Sequence, residues 1–217
     1  MDQATEMTMR KWYPPVIVVA AFAVSLAAYS QLSDPVAIHW GWDGQPNGWV
    51  GKPFGAFLMP CLMIGFAVLF RVLPDADPRK GNYEKFWSSY DLIAFAVLTF
   101  CFAIHCVSLG TALGFPIPVN RVVPGLVGAL FICLGNVFPR LRSNWWVGIR
   151  TPWSLSSDEN WARTQRVGGY LFVAAGVLLL ADAAAPGHWM NRISIGAAIA
   201  GPLCAVVFSY AASLSAE

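Results

Sequence analysis

PRLRSNWWVGIRTPWSLSSDENWARTQRVGG, from Pro139 to Gly169, is the longest break between two apolar runs in this sequence. It holds Arg140, Arg142, Arg150, Arg163 and Arg166 together with Trp145, Trp146, Trp153 and Trp161. Almost everything around it reads as membrane helix or short connector. Composition agrees: of 217 residues, 57% are hydrophobic and only 12% charged, with a mean hydropathy of +0.55. A water-soluble domain carries about 25% charged residues, and half that amount cannot cover a globule of this size. The expected fold class is all-α, a polytopic membrane protein forming a single integral-membrane domain over residues 1–217.

Apolar runs extend from Pro14 to Leu32, Phe54 to Leu73, about Asp91 to Leu113, Val122 to Phe138, about Val167 to Ala185 and about Ile193 to Leu214. Each approaches the roughly 20 residues that cross a hydrocarbon core about 30 Å thick. The first exceeds the apolar region of a signal peptide, about 7–15 residues, and reads as a span. Six spans place Arg10, Lys11, Arg71, Arg79, Lys80, Lys85, Arg140, Arg142, Arg150, Arg163 and Arg166 on one side. Only Lys52, Arg121 and Arg192 fall on the other. The excess of Lys and Arg marks the cytoplasmic side, so both termini are expected there. The five cysteines (Cys61, Cys101, Cys106, Cys133 and Cys204) all lie in apolar runs, with no C-x-x-C spacing. An odd number so placed suits neither a disulfide framework nor a zinc site, and they read as small hydrophobes.

Within the cytoplasmic island, Ser156-Ser157-Asp158-Glu159 fits a capping box with Ser156 as the cap. A helix from there puts Glu159 and Arg163 four apart, in the favourable order for an ion pair, and runs into the fifth span. Gly168-Gly169 then marks a bend or a close helix contact. Asn144, Gly148, Thr151, Pro152 and Trp153 read as specific turn chemistry, which suits docking of a soluble protein. The plainer reading has the arginines meeting anionic headgroups of membrane lipids, at about 1 kcal/mol per basic residue. Direct nucleic-acid binding is not expected, because the basic residues alternate with membrane-anchoring aromatics.

A second polar island, DPVAIHWGWDGQPNGW from Asp34 to Trp49, is expected on the opposite face. Asp43-Gly44 and Pro46-Asn47-Gly48 are turn sequences, since Gly and Asn tolerate positive φ. They fold the loop so that His39, Trp40, Trp42 and Trp49 cluster. Tryptophans at headgroup level form an aromatic belt, but so many turn residues suit a recognition surface for an apolar or amphipathic ligand. His39 has no second His or Cys nearby in sequence, so no metal and no cofactor is expected.

Ionisable groups at membrane depth are costly to bury and are functional candidates. His105 lies mid-span, one turn after Cys101, where a hydrogen bond to a neighbouring helix would satisfy it. Asp182 and Arg192 lie near the outer ends of spans five and six and are placed to pair across the hairpin. No nucleophile motif, phosphate loop, dinucleotide fingerprint or His-Glu zinc motif occurs, so an enzyme is not expected. The alternatives left open are a small transporter or lipid-handling protein with a cavity near His105, and a structural subunit of a membrane complex.

Asn144-Trp145-Trp146-Val147-Gly148-Ile149-Arg150-Thr151-Pro152-Trp153-Ser154-Leu155-Ser156, followed by Trp161, Thr164, Arg166 and Gly168-Gly169, resembles the signature of the SdpI-type immunity proteins. Pro35, Ile38, His39-Trp40, Gly44, Pro46, Gly48 and Trp49 look like the DUF1648 pattern that often precedes it. The resemblance makes 14–74 the DUF1648-like part and 119–213 the SdpI-type part. It implies a six-span bacterial inner-membrane protein that gives immunity to a secreted, membrane-active peptide toxin and signals through a soluble winged-helix repressor held at the membrane. It further implies that the ligand-facing residues are His39, Trp40, Gly44, Pro46 and Trp49. The partner-facing ones are Asn144, Trp146, Gly148, Arg150, Thr151, Pro152, Trp153, Trp161 and Arg166.

Overall fold

The computed structural model describes residues 3–41, 43–185 and 188–214. Its helices are α1 (Gln3–Ala28), α2 (Lys52–Val72), α3 (Trp87–Ala112), α4 (Val119–Val137), a short α5 (Pro152–Ser156), α6 (Asp158–Ala184) and α7 (His188–Leu214). Among the described residues six helices, all but α5, are long and apolar enough to cross a membrane. The protein is a multi-pass membrane protein of the all-α class.

Helix ends differ from expectation where polar residues continue the backbone pattern. α1 starts well before Pro14 and carries Pro14 and Pro15 inside it. α6 begins at Asp158, with Ser157 rather than Ser156 as its cap: the Ser157 hydroxyl accepts from the Asn160 N–H at 3.3 Å. The expected capping box forms five residues earlier, on α5, where Thr151 and Ser154 exchange side-chain to backbone hydrogen bonds at 2.9 and 3.0 Å. Ser156 instead donates to the Trp153 carbonyl. The Glu159–Arg163 ion pair is present at 2.6 Å, exposed on the first turns of α6. The expected turn at Pro186-Gly187 lies outside the described residues.

The helices form two groups. α1, α2 and α3 pack against one another; in the second group α6 packs between α4 and α7, and α3 touches α4. The first group closes on Ile17, Ala21, Met63, Leu98 and Cys101, all buried. In the second, α4 and α6 approach until backbone meets backbone. A Cβ added at Gly135 would stand 2.6 Å from the Gly169 carbonyl oxygen, and one at Gly176 the same distance from that of Gly128. Small residues permit such contact where the hydrophobic effect gives no drive for helix association in lipid. The opposite surface is apolar and open: on α7, Ile199, Leu203 and Val207 are all 60% or more exposed, while Ala205, Ser209 and Ala212 are buried. In water such a stripe would be a liability; facing hydrocarbon it is the expected surface.

Lys52, Arg121 and Arg192 fall at the N-terminal ends of α2, α4 and α7. The island from Pro139 to Ser157 lies between the C-terminal end of α4 and the start of α6. Antiparallel crossing puts these at opposite ends of the bundle. The basic end is the one the charge bias assigns to the cytoplasm.

Candidate functional site

At the end opposite the basic one, the chain forms a two-stranded antiparallel hairpin of β1 (Val36–Trp40) and β2 (Pro46–Val50), where sequence reading gave only turns. Val36 pairs with Val50 and Ala37 with Trp49, and irregularities near His39 shift the register. Gly41 and Gln45 close the loop at 2.8 Å, and Gly44 turns at φ +78° against Asn120, the second residue of α4. Several ties hold the hairpin to the helices. The Ser108 hydroxyl of α3 donates to the Ala37 carbonyl at 3.2 Å, and the Lys52 N–H of α2 donates to Asp34 at 3.2 Å. Val36 is fully buried with Ala28, Leu32, Ala56 and Leu109.

On this base, His39, Ile38 and Trp49 are exposed, Trp40 is half-buried, and Pro46 is exposed at the start of β2. Trp42 lies outside the described residues. The His39 Nδ1 hydrogen-bonds Asn47 Oδ1. An amide oxygen only accepts, so the Nδ1–H donates to it. The histidine is a positioned imidazole on an aromatic ribbon.

The basic end is built from more residues than the sequence singled out. Asn144 is wholly buried. Its Oδ1 accepts the N–H groups of Trp146 and Val147 at 2.9 and 2.8 Å, and its Nδ2 donates to the carbonyls of Arg142 and Val147. The following turn needs Gly148, at φ +99°, whose missing side chain leaves room for Gln165. Gln165 then brackets Ile149, donating to its carbonyl at 2.8 Å and accepting from its N–H at 3.0 Å. Trp161 is buried with its indole N–H donated to the Leu141 carbonyl at 2.9 Å. The Thr151 hydroxyl meets Ser209 of α7 at 2.7 Å, and the Trp153 ring lies against Tyr210 with centroids 4.9 Å apart.

Sequence reading missed the connector between α2 and α3, which docks on this island. Asp77 is buried; its carboxylate accepts from the N–H groups of Arg79 and Trp145 and from the Tyr83 hydroxyl. The Arg79 guanidinium donates to the Ser143 hydroxyl and, at 2.7 Å, to the Leu155 carbonyl; Asn82 donates to the Ser143 carbonyl at 2.8 Å. Burial first, and then the hydrogen bond to Asp77, hold the Tyr83 phenol well above its ordinary value. The available signal was a charged Asp-Pro-Arg-Lys connector carrying an aromatic, which reads as a generic solvated turn.

The expected partner-facing residues therefore divide. Asn144, Thr151 and Trp161 are enclosed and shape the island; Gly148 and Trp153 are half-buried; Trp146, Arg150, Pro152 and Arg166 are exposed. Arg150 is held in place by donating to the Trp145 carbonyl at 2.6 Å. Of the polar groups at membrane depth, His105 is only 1% exposed and meets Ser25 of α1 at 2.8 Å; Ser25 also reaches the Ala56 carbonyl of α2 at 2.7 Å. With the hydroxyl proton given to a carbonyl, the His105 Nε2–H donates to Ser25 Oγ, stitching the first three helices together. Asp182 is buried and accepts from Ser194 at 3.1 Å, while its Oδ1 has no hydrogen-bond partner among the described residues. Arg192 is exposed at the start of the apolar part of α7.

Residues 140–213 match the model of the SdpI/YfhL protein family, and residues 16–64 match a domain of unknown function, DUF1648. The chain is 23% identical over 195 residues to the "Immunity protein SdpI" of Bacillus subtilis (strain 168), covering 90% of this chain and 91% of that protein. No solved structure shows a significant match.

Proposed function

We propose, for a chain that carries a DUF1648 region followed by an SdpI/YfhL region, a non-enzymatic role in membrane immunity: it receives a membrane-active peptide at the hairpin and reports it at the basic end. The observation that carries this reading is the hairpin itself. It presents Ile38, His39 and Trp49 to the outside while Val36, Ala37 and Asp34 are fixed to three helices. A preorganised aromatic ribbon with a positioned imidazole binds an apolar or amphipathic peptide with little ordering to do. Similarity to a protein named for immunity supports a protective role. Trp40, Gly44 and Pro46 set the ribbon's shape, and His39 and Trp49 touch the peptide.

At the other end, Trp146, Arg150, Pro152 and Arg166 form the surface offered to a soluble protein, in this reading a winged-helix repressor. Asn144, Gly148, Thr151, Trp153 and Trp161 hold that surface in shape.

The test is expression in a sensitive bacterium challenged with a panel of secreted amphipathic peptides. His39→Ala and Trp49→Ala are expected to abolish protection at unchanged membrane levels. Trp146→Ala and Arg150→Ala are expected to keep protection and lose recruitment of the soluble partner. Full protection by both hairpin variants would overturn the reading.

A further inference from the structure

A cavity of about 350 Å³ opens at the basic end where the α2–α3 connector, the exit of α4 and the start of α6 meet. Its polar wall carries Asn82, Lys85, Arg142, Ser143 and Asp158, and its apolar wall includes Leu141 and Trp161. Two cations and one carboxylate share this space without pairing. The Arg142 and Asp158 side chains form no hydrogen bond or ion pair among the described residues, and Lys85 reaches only Asn82, at 3.4 Å. The Trp161 indole N–H is already committed to Leu141, so that ring supplies apolar wall alone.

We propose that this cavity seats the headgroup of a phospholipid bearing both a phosphate and a primary ammonium, a phosphoethanolamine-type group. The phosphate lies between Lys85 and Arg142, where charge-assisted hydrogen bonds to phosphate oxygens are short and strong. The ammonium lies against Asp158. A purely anionic glycerol headgroup would satisfy the cations and leave Asp158 facing like charge. A choline headgroup has no N–H to give the carboxylate. The position favours a lipid over a soluble phosphate: basic residues immediately cytoplasmic of a span lie at headgroup depth, and all three elements around the cavity lead directly into spans. The site is separate from the hairpin and does not depend on what binds there.

The test is native mass spectrometry of the full chain in detergent, titrated with phosphatidylethanolamine, phosphatidylglycerol or phosphatidylcholine. Wild type is expected to retain one phosphatidylethanolamine at least tenfold more tightly than either alternative. The double variant Lys85→Gln/Arg142→Gln, both exposed positions, is expected to lose that retention with its thermal unfolding unchanged. Asp158→Asn is expected to bring phosphatidylglycerol level with phosphatidylethanolamine. Soluble glycerophosphoethanolamine is expected to compete at least tenfold more weakly than the lipid. Equal retention of all three lipids by wild type, no change in the double variant, or unchanged selectivity in Asp158→Asn would each overturn the proposal. Equal competition by the soluble headgroup would overturn the lipid source.

Discussion

The Asp77 carboxylate, just beyond the end of α2, accepts the backbone N–H of Trp145 at 2.9 Å across 68 positions of sequence. Asp77 belongs to the three-helix group that carries the hairpin, and Trp145 to the island between α4 and α6. The bond therefore ties the two helix groups at their basic end, as the Gly44–Asn120 contact does at the other. A ligand at the hairpin acts on the island only by favouring one of two arrangements of these groups. Arg79 and Asn82 add further bonds across the same junction, to Ser143 and Leu155.

Asp77→Ala leaves three donors without an acceptor: the N–H groups of Arg79 and Trp145 and the Tyr83 hydroxyl. Only the Tyr83 hydroxyl is fully buried; an unsatisfied buried group costs about 1–3 kcal/mol, so the variant is expected to lose about 2 kcal/mol or more. Thermal unfolding in detergent measures it, and trypsin cleavage after Arg142 and Arg150 should quicken as the island loosens. A loss of less than about 1 kcal/mol would mean that water replaces the carboxylate and that the strap is not a structural tie.

Gly135→Ala places a methyl about 2.6 Å from the Gly169 carbonyl oxygen and 2.9 Å from the Val173 nitrogen. Backbone atoms cannot rotate away, so α4 and α6 must separate. Overpacking of this kind costs about 1–3 kcal/mol. Gly65→Ala, on an exposed face of α2 with nothing within 4 Å, is expected to be neutral or slightly stabilising because Ala is the better helix former. Comparing the two unfolding midpoints separates helix contact from helix propensity.

Six spans and the continuous α6 were legible because hydropathy and the Glu159–Arg163 spacing are local in sequence. The Gly168-Gly169 contact was legible for the same reason, although its partner, Gly135, was not. What sequence could not reveal depends on distant pairs. Asn144 read as turn chemistry suited to docking, and Trp161 was partner-facing only by the resemblance; both are buried because they bond the backbone of Val147 and Leu141 from within the island. Asp77 stands in a charged connector, and its partner Trp145 is 68 positions away. The hairpin was missed because two five-residue strands, one beginning with proline and containing Asn-Gly, carry little strand signal.

The Tyr83 phenol donates to Asp77 at 2.9 Å, and burial with that hydrogen bond raises its ionisation above the ordinary value. In the unfolded chain a tyrosine ionises near about pH 10. Folded and unfolded states are alike below that pH. Above it the unfolded state loses a proton that the folded state keeps, so stability falls as pH rises. Tyr83→Phe removes this dependence along with the hydrogen bond. The gap in unfolding midpoint between wild type and Tyr83→Phe should therefore be constant from about pH 7 to 9 and narrow between about pH 10 and 11. A constant gap through pH 11 would show that Tyr83 ionises at its ordinary value.

Gln165 offers the sharpest test of whether island shape and partner docking are one property. Gln165→Glu keeps an acceptor for the Ile149 N–H but sets a carboxylate oxygen where the amide donated to the Ile149 carbonyl. Losing that donor and opposing two acceptors should cost about 1–3 kcal/mol. Gln165→Leu removes both bonds and should cost at least as much. Neither touches the hairpin, so peptide protection should persist in folded protein while recruitment of a soluble partner falls several-fold. Pull-down with the cytoplasmic fraction, set beside protection in the same cells, measures both. Recruitment that survives in both variants would mean that Trp146 and Arg150 dock without the turn that Gln165 holds.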